Sequence, residues 1–287
     1  DARSPTSTSS VMEVSGGATL DGLNDRLMHR FAYRNLGSFA SPTNSYTGNF
    51  TVNISGVNPT TAGTYQGGIR WFEMRRNADA FAVNDQGTHS TGAVSGSTGL
   101  NNWMGSVAQD NQGNIALGFS QSSTTQRADI KIAGRTGAPS GTLNEGEALM
   151  FASPAVQTSS NRWGDYSSMT VDPTDDCTFW YTQEYYAANS SSNFSTRVGS
   201  FKFPGCAPAQ KGTINGTITS CSTGLPISAA SVAATGGYNR LTIANGTYSM
   251  TVAPGSYTVS ASKTGGFSGN SQNTSVTNGG TSTVNVC

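Results

Sequence analysis

Alternation of apolar and polar residues, cut every few positions by glycine, proline or asparagine, limits what this chain can fold into more than any other feature. Residues 212–261 read GTINGTITSCSTGLPISAASVAATGGYNRLTIANGTYSMTVAPGSYTVSA. Ile214, Gly216 and Ile218 fall on one side, and Thr213, Asn215, Thr217 and Thr219 on the other. Tyr248, Met250 and Val252 repeat the pattern, as do Tyr257, Val259 and Ala261. A period of two belongs to a half-buried strand. Asn245-Gly246 and Pro254-Gly255 supply the reversals between such strands. Thr, Ser, Asn and Gly are abundant throughout, which favours strands and turns over helices. The expected class is all-β.

Within this stretch stand Gly216, the turn Thr223-Gly224-Leu225-Pro226, Ala230-Ser231-Val232, Asn245-Gly246-Thr247-Tyr248 and Pro254-Gly255-Ser256-Tyr257-Thr258-Val259. In that order they resemble the carboxypeptidase regulatory-like family, a prealbumin-type β-sandwich. The resemblance runs from about residue 212 to the end of the chain. It implies a module that accompanies secreted enzymes or surface proteins and is rarely catalytic. The two histidines, His29 and His89, stand in neither an H-x-x-E nor an H-E-x-x-H context. The zinc-peptidase chemistry in the family name therefore does not carry over.

A chain of 287 residues is long enough for two domains. We expect them at 1–206 and 207–287. Charged residues make up 11% and the formal net charge is zero. No long-range field steers nucleic acid or an anionic membrane to such a surface. No run of 18 apolar residues occurs, so membrane insertion is not expected. The opening DARSPTSTSS is polar, as a processed or trimmed N-terminus is.

The four cysteines lack C-x-x-C spacing, which argues against zinc or thioredoxin-like chemistry. Each expected domain holds two of them. Of three possible connectivities we expect Cys177–Cys206 and Cys221–Cys287, each contributing roughly 3.5–4.5 kcal/mol through loop closure. Disulfides imply an oxidising compartment, hence an extracellular or cell-surface location. Seven N-x-S/T sequons, at Asn49, Asn53, Asn189, Asn193, Asn215, Asn245 and Asn273, are candidate glycan sites if the source performs that chemistry.

The first two-thirds hide a repeat. WMGSVAQDNQGNIALGFSQ from Trp103 aligns with WGDYSSMTVDPTDDCTFWYTQ from Trp163 when Asp110 is set on Asp172. Val107 then matches Met169, and Ile115, Leu117 and Phe119 match Cys177, Phe179 and Tyr181. Each copy is a strand, a polar turn holding an Asp, and a second alternating strand. A weaker copy runs from Asp25 to Asn35. Outer strands are expected in NFTVNIS, GGIRWFEMR, RADIKIAGR and STRVGSFKF. The motifs DRLMHRFAYRN, GGIRWFEMR, NWMGSVAQDNQGNIALGFS and RWGDYSSMTVDP resemble secreted bacterial β-propellers of the sialidase-like or Asp-box type. The resemblance implies propeller blades ahead of the sandwich. Asp110-Asn111-Gln112-Gly113 spaces Asp and Gly one residue too far for an Asp box, and no Arg-Ile-Pro motif occurs. Three blades cannot close a ring. The expectation is a C-terminal portion of a propeller belonging to a longer chain. A jelly roll or other two-sheet sandwich is the alternative.

Candidate functional residues follow from side-chain chemistry. Arg162-Trp163-Gly164-Asp165-Tyr166 is the most distinctive short motif, a polar cluster for an acidic or sugar ligand, or else a blade-packing element. Arg70, Arg75, Arg30 and Arg34 could join Arg162 in reading carboxylates, because a guanidinium forks onto both oxygens. Arg70 and Trp71 alternate, so one faces in and the other out. Trp71, Trp103, Trp163 and Tyr166 offer flat faces for sugar stacking. Asp165 and Glu184 could form a glycosidase pair. Asp172, Asp175 and Asp176 lie in a turn that could donate oxygens to calcium, although EF-hand spacing is missing. No G-x-S-x-G elbow or P-loop occurs, so serine hydrolase and nucleotide chemistry are unsupported.

The expected function is a non-catalytic extracellular protein that recognises a glycan or surface polymer, the sandwich acting as spacer or docking module. Alternatives are a sialidase-like glycoside hydrolase or lyase, and a subunit of a surface fibre joined through exposed β-edges. Expected partners are a glycan or surface protein, the remainder of a longer chain, or other copies.

Overall fold

The computed structural model describes residues 10–11, 17–24, 26–37, 41–56, 65–77, 79–95, 99–265 and 267–287. The chain divides into two compact units, Asp1–Pro208 and Ala209–Cys287. Every regular element among the described residues is a strand.

In the first unit, β1 (Ser10–Val11) pairs with β2 (Leu20–Asp21). Three antiparallel meanders follow, each a separate sheet. The first joins β3 (Ala32–Asn35), β4 (Asn44–Asn53), β5 (Gly67–Asn77) and β6 (Ala80–His89). The second joins β7 (Asn101–Gln109), β8 (Ile115–Ser123), β9 (Gln126–Arg135) and β10 (Glu147–Phe151). The third joins β11 (Ser168–Val171), β12 (Phe179–Tyr185) and β13 (Ser195–Phe201). The four expected outer segments lie in β4, β5, β9 and β13.

The aligned repeat has a structural counterpart. Asp110 Oδ1 accepts the backbone N–H groups of Gln112 and Asn114 at 2.9 Å each, and Asp172 Oδ1 accepts that of Thr174 at 2.8 Å. Both carboxylates close a turn between two strands. All six residues matched beyond the turns are buried. Asp25, the start of the weaker copy, lies outside the described residues.

The second sheet is covered on both faces. Every residue of β7 and β8 is buried. One face packs Val107, Leu117 and Phe119 on Ile69 and Trp71 of the first sheet. The other packs Ala108, Ala116 and Ile130 on Met169, Phe179 and Tyr181 of the third. The described sheets stack without closing into a ring, and this stacking does not show the expected propeller blades. The jelly-roll alternative also fails, because strands of these meanders pair only with their sequence neighbours.

Between the first and second sheets lies a buried ionic cluster. Glu73 Oε1 accepts Ser45 Oγ at 2.9 Å, Gln109 Nε2 at 3.1 Å and Arg75 Nε at 2.7 Å. Its Oε2 accepts Asn84 Nδ2 at 3.1 Å and Arg135 Nη2 at 3.2 Å. Arg135 Nε lies 3.4 Å from Asp85 Oδ2. Burial pushes the Glu73 carboxyl up, but these donors and the Arg75 charge outweigh it and hold its pKa below the ordinary value.

The second unit contains β14 (Gly212–Thr217), β15 (Ser231–Ala234), β16 (Tyr238–Leu241), β17 (Thr247–Val252), β18 (Gly255–Lys263), β19 (Phe267–Ser268), β20 (Gln272–Val276) and β21 (Thr281–Thr283). One sheet runs β17-β14-β21; in the other, β15 pairs with β16 and β18, and β18 also pairs with β19 and β20. The alternation read from sequence sends Ile214, Tyr248, Met250, Val252, Tyr257, Val259 and Ala261 into one core with Val232, Val276, Val284 and Val286. Disulfides join Cys177 to Cys206 and Cys221 to Cys287, the expected pairing.

Candidate functional site

The Arg162–Tyr166 loop and Glu184 of β12 come together. Gly164, at φ 57°, turns the chain so that its N–H donates to Glu184 Oε2 at 2.9 Å. A Cβ at Gly164 would stand 2.5 Å from Gln183 Oε1, so any side chain there would displace Gln183 and strain the left-handed backbone. Arg162 forms an ion pair with Asp165, whose Oδ1 is buried without a hydrogen-bond partner among the described residues. Burial raises the Glu184 carboxyl above its ordinary value against the opposing Gly164 N–H. The Tyr166 side chain is 90% exposed. The loop thus exposes a guanidinium and a phenol, while the Asp165 carboxyl and that of Glu184 in β12 are largely buried.

The tryptophans expected to stack on a ligand do not reach the surface. Trp71, Trp103 and Trp163 are all buried. Trp163 packs 5.8 Å from Trp103 and 5.3 Å from Tyr186, and its Nε1 donates to Ser120 Oγ at 3.1 Å. Trp71 lies on a strand face covered by the second sheet, and Trp103 packs with Trp163, which stands in the loop before β11, so their role is packing. Arg70 faces outward opposite Trp71, as the alternation required, and donates to Thr88 Oγ1 at 3.2 Å and Gln86 Oε1 at 2.5 Å.

The acidic turn does not form a calcium cage. Asp172 Oδ2 accepts Trp180 Nε1 at 3.1 Å. Asp175 accepts the N–H groups of Cys177 and Thr178 at 3.0 and 2.9 Å, and these bonds hold its pKa down at about 2. Asp176 faces Arg34 at 3.5 Å. Among the described residues no three Asp, Glu, His or Cys side chains converge on a metal position. Of the sequon residues, Asn49 is fully buried and cannot receive a glycan. Asn53 Oδ1 accepts the N–H groups of Ser55 and Gln66. Asn215 is partly covered, whereas Asn189, Asn193, Asn245 and Asn273 are exposed.

Two groupings escaped sequence reading. His89, at the end of β6, lies 2.9 Å from Glu147 Oε1 at the start of β10. Glu147 also accepts Thr91 Oγ1, and Gln121 Nε2 at 2.9 Å; despite burial, these donors and the histidine lower its pKa to about 2. The pair is 58 residues apart in sequence, so no local motif announces it.

The second grouping covers the outer face of the first sheet. Phe31 stacks on Tyr46 and approaches Phe72, Tyr46 meets Tyr33 and Phe81, and Phe50 approaches Phe72. Phe31, Tyr33 and Phe81 are 48%, 57% and 51% exposed. A Cβ at Gly48 would lie 2.7 Å from the Phe72 ring, so the glycine lets the rings lie across β4. The opposite face of β4 presents Ser45, Thr47, Asn49 and Thr51 to the second sheet, all buried. Thr47 Oγ1, both Asn49 amide atoms and Thr51 Oγ1 lack partners among the described residues. This strand is therefore polar inside and aromatic outside, the reverse of a sheet that meets water on its outer face.

Residues 213–287 match the family model of the carboxypeptidase regulatory-like domain. This segment is a carboxypeptidase regulatory-like domain. Within the domain a cleft of about 250 Å³ lies beside the Cys221–Cys287 bridge, lined by Ile218, Ile227, Ala230 and Ala261. Lys263 at the cleft donates its Nζ to Ser228 O at 2.8 Å. No curated protein matches the chain. Among solved structures, the backbone protein of the group B streptococcus pilus 2b is similar at 12% identity, over 89% of this chain and 96% of that one, with a TM-score of 0.24. So low a score does not establish a common fold.

Proposed function

We propose that the chain is an extracellular or cell-surface structural protein whose working surface is the aromatic outer face of its first sheet, used to associate with other copies of itself. The carrying observation is the contiguous set Phe31, Tyr33, Tyr46, Phe50, Phe72 and Phe81, left half-open on a strand whose inner face is polar. Contiguous apolar patches on soluble proteins mark interaction sites, and aromatics are enriched there. Phenylalanine predominates, which suits a protein surface better than a sugar, since a phenyl ring offers a glycan no hydrogen bond. Neutral net charge leaves little repulsion between copies. Two disulfides suit an oxidising compartment. No described helix is long and apolar enough to cross a membrane. The outermost face of the three stacked meanders is then completed by a partner, and the regulatory-like domain acts as spacer or docking module.

Light scattering across a concentration series tests this. Wild type should gain mass with concentration, and Phe81→Lys with Tyr33→Lys should hold it monomeric without loss of fold. A wild type that stays monomeric at several hundred micromolar overturns the proposal.

A second reading rests on the exposed Tyr166 ring beside the Arg162–Asp165 pair and Glu184. That shelf suits a polar saccharide, bound or cleaved. A polysaccharide panel read for both retention and product mass separates the cases. Retention lost in Tyr166→Ala supports binding, and products lost in Glu184→Gln support hydrolysis.

A further inference from the structure

We propose that the pocket between β3, β4, β7 and β11 binds a small carboxylate-bearing ligand through Arg30 and Arg34, with the Thr47 hydroxyl as a third donor. The strand register places Ala32 opposite Thr47 and Arg34 opposite Ser45. The register puts Arg34 on the inner face of the sheet with Thr47, and Arg30, in the chain just before β3, borders the same pocket. The cavity measures about 70 Å³ and is lined by Arg30, Arg34, Thr47, Gln109 and Thr170 among others, with no carboxylate in its wall. Arg30 makes no ion pair with any described residue. Arg34 shares its charge with Asp176 at 3.5 Å and also acts on the Asp110 carboxyl, both outside the pocket wall. Thr47 is 1% exposed, and its Oγ1 has no hydrogen-bond partner among the described residues.

These observations converge on the ligand's chemistry. A buried hydroxyl without a partner is costly, and an acceptor entering the cavity satisfies it. The amide nitrogen of Gln109 already donates to Glu73 and to Gly113 O, so this residue is wall rather than donor. What remains is one guanidinium free of an ion pair, a second partly neutralised, and a hydroxyl. That set matches a planar monoanion, whose two oxygens take the fork of one arginine while the hydroxyl caps the nearer of them. A phosphate dianion would lack a second full positive charge. The pocket admits a carboxylate head but not a whole sugar ring, so the rest of the ligand projects past Arg30, which is exposed.

The site is distinct from the aromatic face, most of whose rings lie on the other side of the same sheet, but Tyr33 borders both, so the Tyr33→Lys variant is not used in this test. Its test is calorimetric titration of the full chain with acetate, N-acetylglycine, glucuronate and sulfate. Saturable uptake of carboxylates, with sulfate weaker, is expected. A preference for glucuronate over N-acetylglycine assigns a uronic acid as the source, and the reverse assigns a peptide C-terminus. Arg30→Ala should weaken binding about tenfold or more, the size of one charge-assisted hydrogen bond. Thr47→Val should weaken it several-fold while raising the melting temperature of the ligand-free protein, since the lone hydroxyl is gone. Arg197→Ala, whose guanidinium stacks over Phe151 elsewhere, should leave affinity unchanged. No saturable uptake of any carboxylate at tens of millimolar, or wild-type affinity in both Arg30→Ala and Thr47→Val, overturns the proposal.

Discussion

Glu73 and Arg162 show how burial decides what a charge is worth. Glu73 is fully buried, with two arginines and three neutral donors around it. Removing one member of such a set leaves an uncompensated charge inside. Glu73→Ala should therefore cost about 3–5 kcal/mol in urea unfolding. The Arg162 side chain is 61% exposed, and Arg162→Ala should cost less than about 1 kcal/mol. Two other glutamates act in opposite directions with pH. Glu147 has an ordinary pKa of 4.5 and a folded value of about 2, so its stabilisation is complete above 4.5 and fades as the pH falls toward 2. Glu184 is raised by burial, so its contribution is present below its ordinary value and lost as the pH rises through the folded one. At neutral pH, Glu147→Gln should lower the melting temperature and Glu184→Gln should raise it. The same sign for both would refute the assignment. None of this was legible in sequence, because each environment is assembled from distant segments.

At the scale of elements, the local repeat was readable and its partners were not. Asp110 and Asp172 mark equivalent turns because an Asx turn is short-range chemistry, so aligning the two copies was enough to find it. The buried rows after those turns also follow from strand alternation. What alternation leaves open is which face meets another sheet. For Trp71 the covered face won, and Trp103 and the loop residue Trp163 pack on each other, so a reading of the three as ligand platforms failed. For β4 the aromatic side stayed open and the polar side went in. The Cys177–Cys206 bridge pins the turn of the third sheet to the chain beyond β13, closing a loop of 29 residues. Replacing both cysteines with serine should cost roughly 3.5 kcal/mol, measured as a shift in denaturant midpoint. A loss below about 1 kcal/mol would mean that the turn is held mainly by its Asp175 hydrogen bonds.

At the scale of the whole molecule, the two units have separate cores. The second contains a sandwich core running from Ile214 to Val286 and its own disulfide. Residues 209–287 produced alone should unfold cooperatively, with a midpoint that drops under reducing conditions. A gradual, non-cooperative loss of signal would show that the domain depends on the rest of the chain. The sequence alone determined the all-β class, the regulatory-like domain, the cysteine pairing and the strand–turn–strand repeat. Each rests on a period of two, a turn motif, or the allocation of two cysteines to each domain. Only the tertiary structure decided that the tryptophans are sealed, that His89 meets Glu147, that the aromatic face is open, and that Arg30 and Arg34 share a pocket with Thr47, whose Oγ1 has no hydrogen-bond partner among the described residues. Those outcomes depend on which sheet covers which face. Packing between residues tens of positions apart sets that, and strand periodicity carries no record of it.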